Sequence, residues 1–133
     1  MPTKTVRPPT IVLVDDDLAL RLSLKFILEL NGFAVETLDS GENLLAHALP
    51  KPPACLVLDQ NMGGIPGLDA LGQLRARGVS LPAIMITSHA KPGFHRTAAR
   101  YGATVVEKPL HGDKLRVEIE AALTGRQDAG QLA

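Results

Sequence analysis

The chain has 133 residues, 45% of them hydrophobic, which is enough to build the core of one ordinary domain. Its 14 basic and 14 acidic side chains balance, so we expect no direct binding to nucleic acid and no membrane partner. No apolar stretch approaches the length of a membrane span, and a single cysteine, Cys55, fits a cytoplasmic setting. Because the net charge is zero, any electrostatic function must depend on local groups of charged residues.

The chain alternates short apolar runs with segments of helical periodicity. Residues 11–14 are continuously apolar, which predicts a strand buried on both faces. Residues 18–30 then predict a helix that Asp17 caps and that Gly32 ends in the left-handed conformation. The inward stripe of this helix is expected to consist of Leu18, Leu22, Phe26 and Leu30, widened by Leu20, Leu24 and Ile27.

The same alternation continues four more times. Strands are predicted at residues 33–38, 54–58, 83–86 and 104–106, and helices at residues 40–49, 68–77, 92–100 and 113–123. Several helices stop at a glycine that is soon followed by an apolar strand, which predicts right-handed βαβ units around a parallel sheet. The expected fold class is therefore α/β, with helices on both faces of the sheet.

One domain accounts for most of the chain. Residues 10–124 are expected to form it, because all ten predicted elements fall within this range. Residues 1–9 are predicted to be a flexible lead. Residues 125–133 are rich in Gly, Gln and Ala, and they are predicted to be a flexible tail or the start of a linker.

The most informative motif is an aspartate run, Asp15, Asp16 and Asp17, directly after the first predicted strand. Adjacent carboxylates repel one another, which raises their pKa unless a cation or solvent offsets the repulsion. Asp59 ends the third predicted strand, and parallel neighbouring strands would bring these acids to one sheet edge. Such oxygen ligands suit Mg²⁺ or Mn²⁺. Without Asp59, a solvated turn would explain the run better.

Two further polar residues follow later strands, Thr87 after the fourth and Lys108 after the fifth. A divalent cation, a hydroxyl and an ammonium group around a carboxylate form a phosphoryl-binding site. The cation and the ammonium group neutralise phosphoryl oxygens, and the carboxylate of Asp59 attacks in line. All these residues at one sheet edge favour a phosphoryl site over a set of unrelated surface residues.

With these motifs in this order, residues 10–123 resemble the receiver domain of two-component response regulators. The resemblance implies a flavodoxin-like three-layer sandwich of five βα units, with a parallel sheet in the order 2-1-3-4-5. It implies that Asp59 is the phosphoacceptor, that Thr87 bonds the phosphoryl group and that Lys108 pairs with it. It also implies a cis peptide bond between Lys108 and Pro109.

The resemblance also implies the metal ligands and the residues that modulate the site. Asp16 would bind Mg²⁺ directly, Asp15 would act mainly through water, and Asp59 would complete the carboxylate set. Asn61 would offer its backbone carbonyl oxygen to the metal. Asn61 and His89 occupy positions that tune the lifetime of the phosphoryl group.

A domain of this family is expected to be a signalling phosphoacceptor and not an enzyme, although it promotes its own phosphorylation and dephosphorylation. Its expected donor is a sensor histidine kinase or a histidine phosphotransfer protein. The expected output surface comprises the fourth helix, the fifth strand and the last helix. That surface would bind a downstream protein or a second copy of the chain.

The sequence departs from the family pattern at two places. The loop after Asp59 carries Gly63 and Gly64, and consecutive glycines loosen a loop. Val105 occupies the position where the family usually has an aromatic residue that rotates inward, and a β-branched side chain has a stiff χ1 and no ring. Tyr101 is the nearby candidate to replace that ring.

These departures keep two other functions open. The first is a degenerate receiver that docks to partners without being phosphorylated. The second is a Mg²⁺-dependent phosphohydrolase with an aspartate nucleophile, which would need a further acid and a cap that this chain length does not favour.

Overall fold

A computed structural model of the chain describes residues 7–125, in which five strands alternate with five helices. The strands are β1 (Thr10–Val14), β2 (Ala34–Leu38), β3 (Ala54–Asp59), β4 (Ala83–Thr87) and β5 (Ala103–Glu107). The helices are α1 (Leu18–Leu30), α2 (Gly41–Ala46), α3 (Gly67–Ala76), α4 (Phe94–Arg100) and α5 (Lys114–Leu123). The predicted lead and tail lie mostly outside the described residues.

The strands form one parallel sheet in the order β2-β1-β3-β4-β5, which confirms the predicted flavodoxin-like fold. Successive side chains of the central strand β3 point to opposite faces. Leu56 and Leu58 pack with α2, α3 and α4 on one face, whereas Cys55 and Val57 pack with α1 and α5 on the other. Two apolar layers therefore hold the sheet between helices.

Cys55 lies in the middle of this sandwich, where it packs as a small apolar residue. Its side chain is fully buried, and burial raises the pKa of its thiol to about 12. The thiol is consequently neutral and shielded in the folded protein.

The prediction for the inward stripe of α1 is wrong for its main residues, although Leu24 is buried and Leu20 partly buried, as expected. Phe26 is 63% exposed and Leu30 is 70% exposed, and Leu18, Leu22 and Ile27 are exposed as well. The buried residues of this helix are Leu24 and Leu28, which lie on the opposite stripe. Polar residues are too few in α1 to mark its outer face. Two leucine stripes therefore have the same spacing, and either could have been the buried one. One stripe packs against the sheet, and the other forms an apolar surface that is exposed to solvent.

Two predicted helices are shorter than expected. Helix α2 stops at Ala46 because His47 takes an extended conformation ahead of a proline-rich segment. Helix α4 begins at Phe94 and not at residue 92, because Gly93 takes a left-handed conformation with a φ of 85°. In the part of the chain that the structure describes, no helix has both the length and the apolarity needed to cross a membrane.

The two stripes of α1 predict opposite responses to mutation. Leu28→Ala removes a side chain that is 1% exposed and should lower the free energy of unfolding by about 2–5 kcal/mol. Phe26→Ser alters an exposed side chain and should change it by less than about 0.5 kcal/mol. Urea unfolding measures both values, and a large loss in Phe26→Ser would contradict this orientation of α1.

Candidate metal centre at the carboxyl edge of the sheet

The strand register brings the predicted site residues to one edge of the sheet. The residues that precede Asp15 and Asp59 lie opposite each other across β1 and β3, so the two carboxyl groups come level. Thr87 is the last residue of β4, and Lys108 directly follows β5. The Lys108 backbone N–H donates to the Thr87 carbonyl oxygen at 2.8 Å, which ties the last two positions together.

Three carboxylates form a cluster at this edge. One oxygen from each of Asp15, Asp16 and Asp59 lies within 4.8 Å of the others. Asp15 and Asp59 are 1% and 2% exposed, whereas Asp16 faces solvent. The third acid of the predicted run, Asp17, lies outside the cluster and caps α1 by accepting from the Leu20 N–H at 3.2 Å.

Burial dominates the electrostatics of Asp15. Its pKa is raised above the ordinary value of 3.8, first because burial penalises the charged form and then because Asp59 and Asp17 repel it. The Asp17 N–H, which donates to Asp15 Oδ1 at 2.9 Å, and the Lys108 charge act in the opposite direction. Mutual repulsion of the aspartates, the cause expected from the sequence, is thus smaller than desolvation.

The donor set fits a divalent cation. Asp15 Oδ2 is buried and has no hydrogen-bond partner among the residues that the structure describes. An oxygen of this kind is costly unless a ligand uses it. Together with the nearby oxygens of Asp16 and Asp59, it offers the hard, anionic ligands that Mg²⁺ and Mn²⁺ prefer.

Among the described residues, Lys108 is the only basic side chain in salt-bridge contact with a carboxylate of the acid cluster. Its Nζ lies 3.4 Å from Asp59 Oδ2, and its side chain is largely buried. The Lys108–Pro109 peptide bond is cis, as the family resemblance implies. This cation therefore faces the carboxylate that the sequence singled out as the phosphoacceptor.

Asn61 links the third and fourth strand ends. Its backbone N–H donates to Asp59 Oδ1 at 3.1 Å, and its side-chain oxygen accepts from the Ser88 N–H at 3.1 Å. The Thr87 hydroxyl lies at 3.5 Å from the same oxygen and at 3.4 Å from the carbonyl oxygen of His89. These long contacts leave the Thr87 hydroxyl available for another acceptor near Asp59.

Tyr101 cannot replace the missing ring beside Val105. Tyr101 follows α4 and precedes β5, so it lies at the amino edge of the sheet, opposite the edge that carries Thr87. Its ring packs against α3, where a Cβ at Gly72 would lie 3.0 Å from the tyrosine hydroxyl. Val105 itself is partly buried against the apolar layer of that face.

Three contacts of the site were not predicted from the sequence. Arg21 donates to the Asp15 carbonyl oxygen at 2.7 Å, and the Gln60 side chain accepts from the Leu68 N–H at 2.7 Å, which fixes the start of α3. Glu42 accepts from the Ile65 N–H in the loop after β3. The first contact joins residues close in sequence at the start of α1, but the last joins residues 23 positions apart and leaves no local signal.

The fold and the acid cluster together define an α/β domain of the receiver type. The chain belongs to the response regulator receiver domain family, whose model matches residues 11–120. Asp15, Asp16 and Asp59 are the acidic set typical of the Mg²⁺ site in these domains. A receiver domain is normally a non-enzymatic signalling module, and it implies a histidine kinase as partner.

Curated relatives are longer than this chain. The chain is 34% identical over 119 residues to the transcriptional regulatory protein FixJ of Azorhizobium caulinodans, which covers 89% of the chain and 56% of FixJ. It is 36% identical over 118 residues to the C4-dicarboxylate transport transcriptional regulatory protein DctD of Pseudomonas aeruginosa, covering 88% of the chain and 26% of DctD. The chain thus spans about half of FixJ and a quarter of DctD.

Solved structures agree with this assignment. The response regulator StyR superposes with a TM-score of 0.82 at 34% identity, covering 94% of this chain and 64% of StyR. The structure titled FixJ-N superposes with a TM-score of 0.77 at 32% identity, covering 93% of this chain and 99% of that one.

The raised pKa of Asp15 predicts that this residue lowers the free energy of unfolding by an amount that depends on pH. Below about pH 3.8 the acid is protonated in both states, and the cost is absent. As the pH rises through the ordinary pKa to the raised one, the unfolded chain loses its proton first, so the folded state loses stability. In a chelator, Asp15→Asn should therefore become progressively more stable than the wild type over this interval. Urea unfolding of both proteins from pH 3.5 to 7.5 measures the difference, and a constant difference would contradict this account.

Proposed function

We propose that this chain is a phosphoacceptor, in which Asp59 accepts a phosphoryl group in the presence of Mg²⁺ or Mn²⁺. The donor is a sensor histidine kinase or a histidine phosphotransfer protein. The observation that carries the proposal is the surroundings of Asp59, a nearly buried carboxylate with two acids on one side and Lys108 Nζ at 3.4 Å on the other. A buried acid in such surroundings is suited to binding a cation and a phosphoryl group together.

The transfer exchanges one bond to phosphorus for another. The phosphorus–nitrogen bond of the donor phosphohistidine breaks, its imidazole keeps the electron pair, and a new bond joins phosphorus to an Asp59 oxygen. Asp15 and Asp16 would hold Mg²⁺, with Asn61 offering its backbone carbonyl, and the bound ion would neutralise phosphoryl oxygens. Lys108 pairs with the phosphoryl group, and the domain's own residues likewise promote the later hydrolysis.

An apolar surface beside α1 suits the docking of a helical donor. A groove of about 580 Å³ lies between α1 and the segment after β5, and it adjoins the site. Leu20, Ile27, Pro109 and Leu110 contribute its apolar walls, and Lys108 lies at its polar end. A donor seated on this surface would bring its phosphohistidine towards Asp59, and an apolar patch of this kind favours a protein partner.

Phosphorylation would be read out through Thr87. Its hydroxyl holds the His89 carbonyl and Asn61 only at 3.4–3.5 Å, so a phosphoryl oxygen would be a better acceptor. Movement of Thr87 would change the surface made by α4, β5 and α5, which would bind a downstream protein or a second copy. Asn61 and His89 would set the phosphoryl lifetime, and a cytoplasmic location is proposed with this pathway.

A docking module that works without phosphorylation is the second candidate. The observation in its favour is Val105, a partly buried β-branched side chain without a ring at the position where the family usually has an aromatic residue. A phosphohydrolase is less well supported. Among the described residues, the metal-binding group contains only Asp15, Asp16 and Asp59, without a further acid to activate water.

Asp59 is expected to gain one phosphoryl group from acetyl phosphate, and only with Mg²⁺ or Mn²⁺ present. Intact-mass spectrometry measures this gain, and Asp59→Asn should show none while it retains the fold. Asp69→Asn is the matched control, because this exposed acid lies in the first turn of α3 and is not part of the acid cluster. Equal labelling of Asp59→Asn and the wild type would refute the assignment. A wild type that binds Mg²⁺ yet is labelled by neither acetyl phosphate nor a phosphorylated histidine phosphotransfer domain would favour the docking module.

Thr87→Ala should separate phosphorylation from switching. The variant is expected to accept the phosphoryl group, because Asp59 and the acid cluster remain, but it lacks the hydroxyl that senses it. Hydrogen exchange of α4 and β5 should then change on phosphorylation in the wild type and in Thr87→Ser, but not in Thr87→Ala. An unchanged response in Thr87→Ala would show that another group transmits the signal.

A further inference from the structure

We infer that Glu42 is a positioning residue that holds the β3–α3 loop, residues 60–66, over the acid cluster. The inference rests on the proposed function, because it concerns the loop that presents Asn61 to the metal site. Glu42 lies on α2, and among the described residues it is not part of the metal-binding group. It would therefore act on the site through the loop alone.

Two carboxylates hold the loop at backbone N–H groups two residues apart. The Gly63 N–H donates to Asp16 Oδ2 at 3.2 Å, and the Ile65 N–H donates to Glu42 Oε2 at 3.3 Å. Asp16 is also the proposed direct ligand of Mg²⁺, so its carboxylate is shared between the loop and the cation. Glu42 carries no such second role and can hold the loop whether or not the cation is bound.

Two glycines, Gly41 and Gly64, leave room for the contact between Glu42 and the loop. Gly64 has a φ of +75°, and a Cβ there would lie 2.5 Å from one Glu42 carboxylate oxygen and 2.9 Å from the other. On α2, a Cβ at Gly41 would lie 2.9 Å from the Ile65 carbonyl oxygen. The first turn of α2 therefore approaches the loop backbone at Gly41 more closely than a side chain there would allow.

Gly63 and Gly64 explain why such support is needed. Glycine loses more backbone freedom on ordering than any other residue, so two in succession weaken the loop intrinsically. The loop also carries Asn61, which contacts Asp59 at 3.1 Å. Backbone motion at the glycines would thus displace Asn61, the residue expected to complete the metal site. The Glu42 contact restricts this motion.

Three variants of Glu42 isolate the contact. Glu42→Ala removes the carboxylate, and Glu42→Asp keeps its charge at the start of α2 but is one methylene too short to reach Ile65. Glu42→Gln keeps the length and an acceptor oxygen. Glu118→Ala, on α5, is the remote control. Glu42 is exposed, so none of these changes should unfold the protein, which circular dichroism verifies.

The first measurement is amide hydrogen exchange by NMR in a chelator, which needs neither metal nor phosphorylation. Exchange at Ile65 should accelerate in Glu42→Ala and Glu42→Asp, and it should stay as in the wild type in Glu42→Gln and Glu118→Ala. The second is Mg²⁺ titration followed by amide shifts. The Ala and Asp variants should bind Mg²⁺ roughly tenfold more weakly, the scale on which groups supporting metal ligands act.

Unchanged exchange at Ile65 in Glu42→Ala would overturn the inference, and so would faster exchange with an unchanged Mg²⁺ affinity. Both readouts are independent of phosphoryl transfer. If Asp59 proved not to accept a phosphoryl group while these shifts appeared, the proposed function would fail and the role of Glu42 in the metal site would stand.

Discussion

The main physical constraint on this structure is the negative charge that it buries at the carboxyl edge of its sheet. Asp15 and Asp59 are almost inaccessible to water, and one Asp15 oxygen has no partner among the described residues. Isolated carboxylates in such a place would be prohibitively costly. Lys108, the backbone N–H of Asp17 and the backbone N–H of Asn61 offset only part of that cost. The three carboxylates thus form a donor set that fits a divalent cation, and such a cation would offset the rest of that cost.

Most of the fold could be predicted from the sequence, because buried parallel strands are continuous apolar runs and helices end at recognisable signals. The orientation of α1 could not. Apolar residues recur at the same spacing on two stripes, one through Leu24 and Leu28 and one through Leu22 and Phe26. Periodicity identifies such a helix but does not rank its faces, and only packing against the sheet decides which stripe is buried.

The candidate site was likewise predictable in part from the sequence. Positions at strand ends were predictable, since parallel strands bring their carboxyl ends to one edge and the order of the motifs supplied the rest. Contacts between loops were not. The contacts of Gly63 with Asp16 and of Ile65 with Glu42 join residues 47 and 23 positions apart, and both use backbone N–H groups that every residue except proline possesses. Tyr101 shows the same limit, because closeness in sequence to Val105 placed it at the wrong edge of the sheet.

Cys55 has a consequence for how this domain can be studied. Its thiol is fully buried in the central strand and has a pKa of about 12, so a thiol-specific reagent reacts only with molecules that have opened around β3. The labelling rate of the unmodified protein therefore reports the population of that open form. Any cation or partner that binds the closed form lowers this population by mass action, and it slows labelling in proportion. The labelling rate of Cys55 thus reports the occupancy of the site from a position far from it, and no probe has to be introduced.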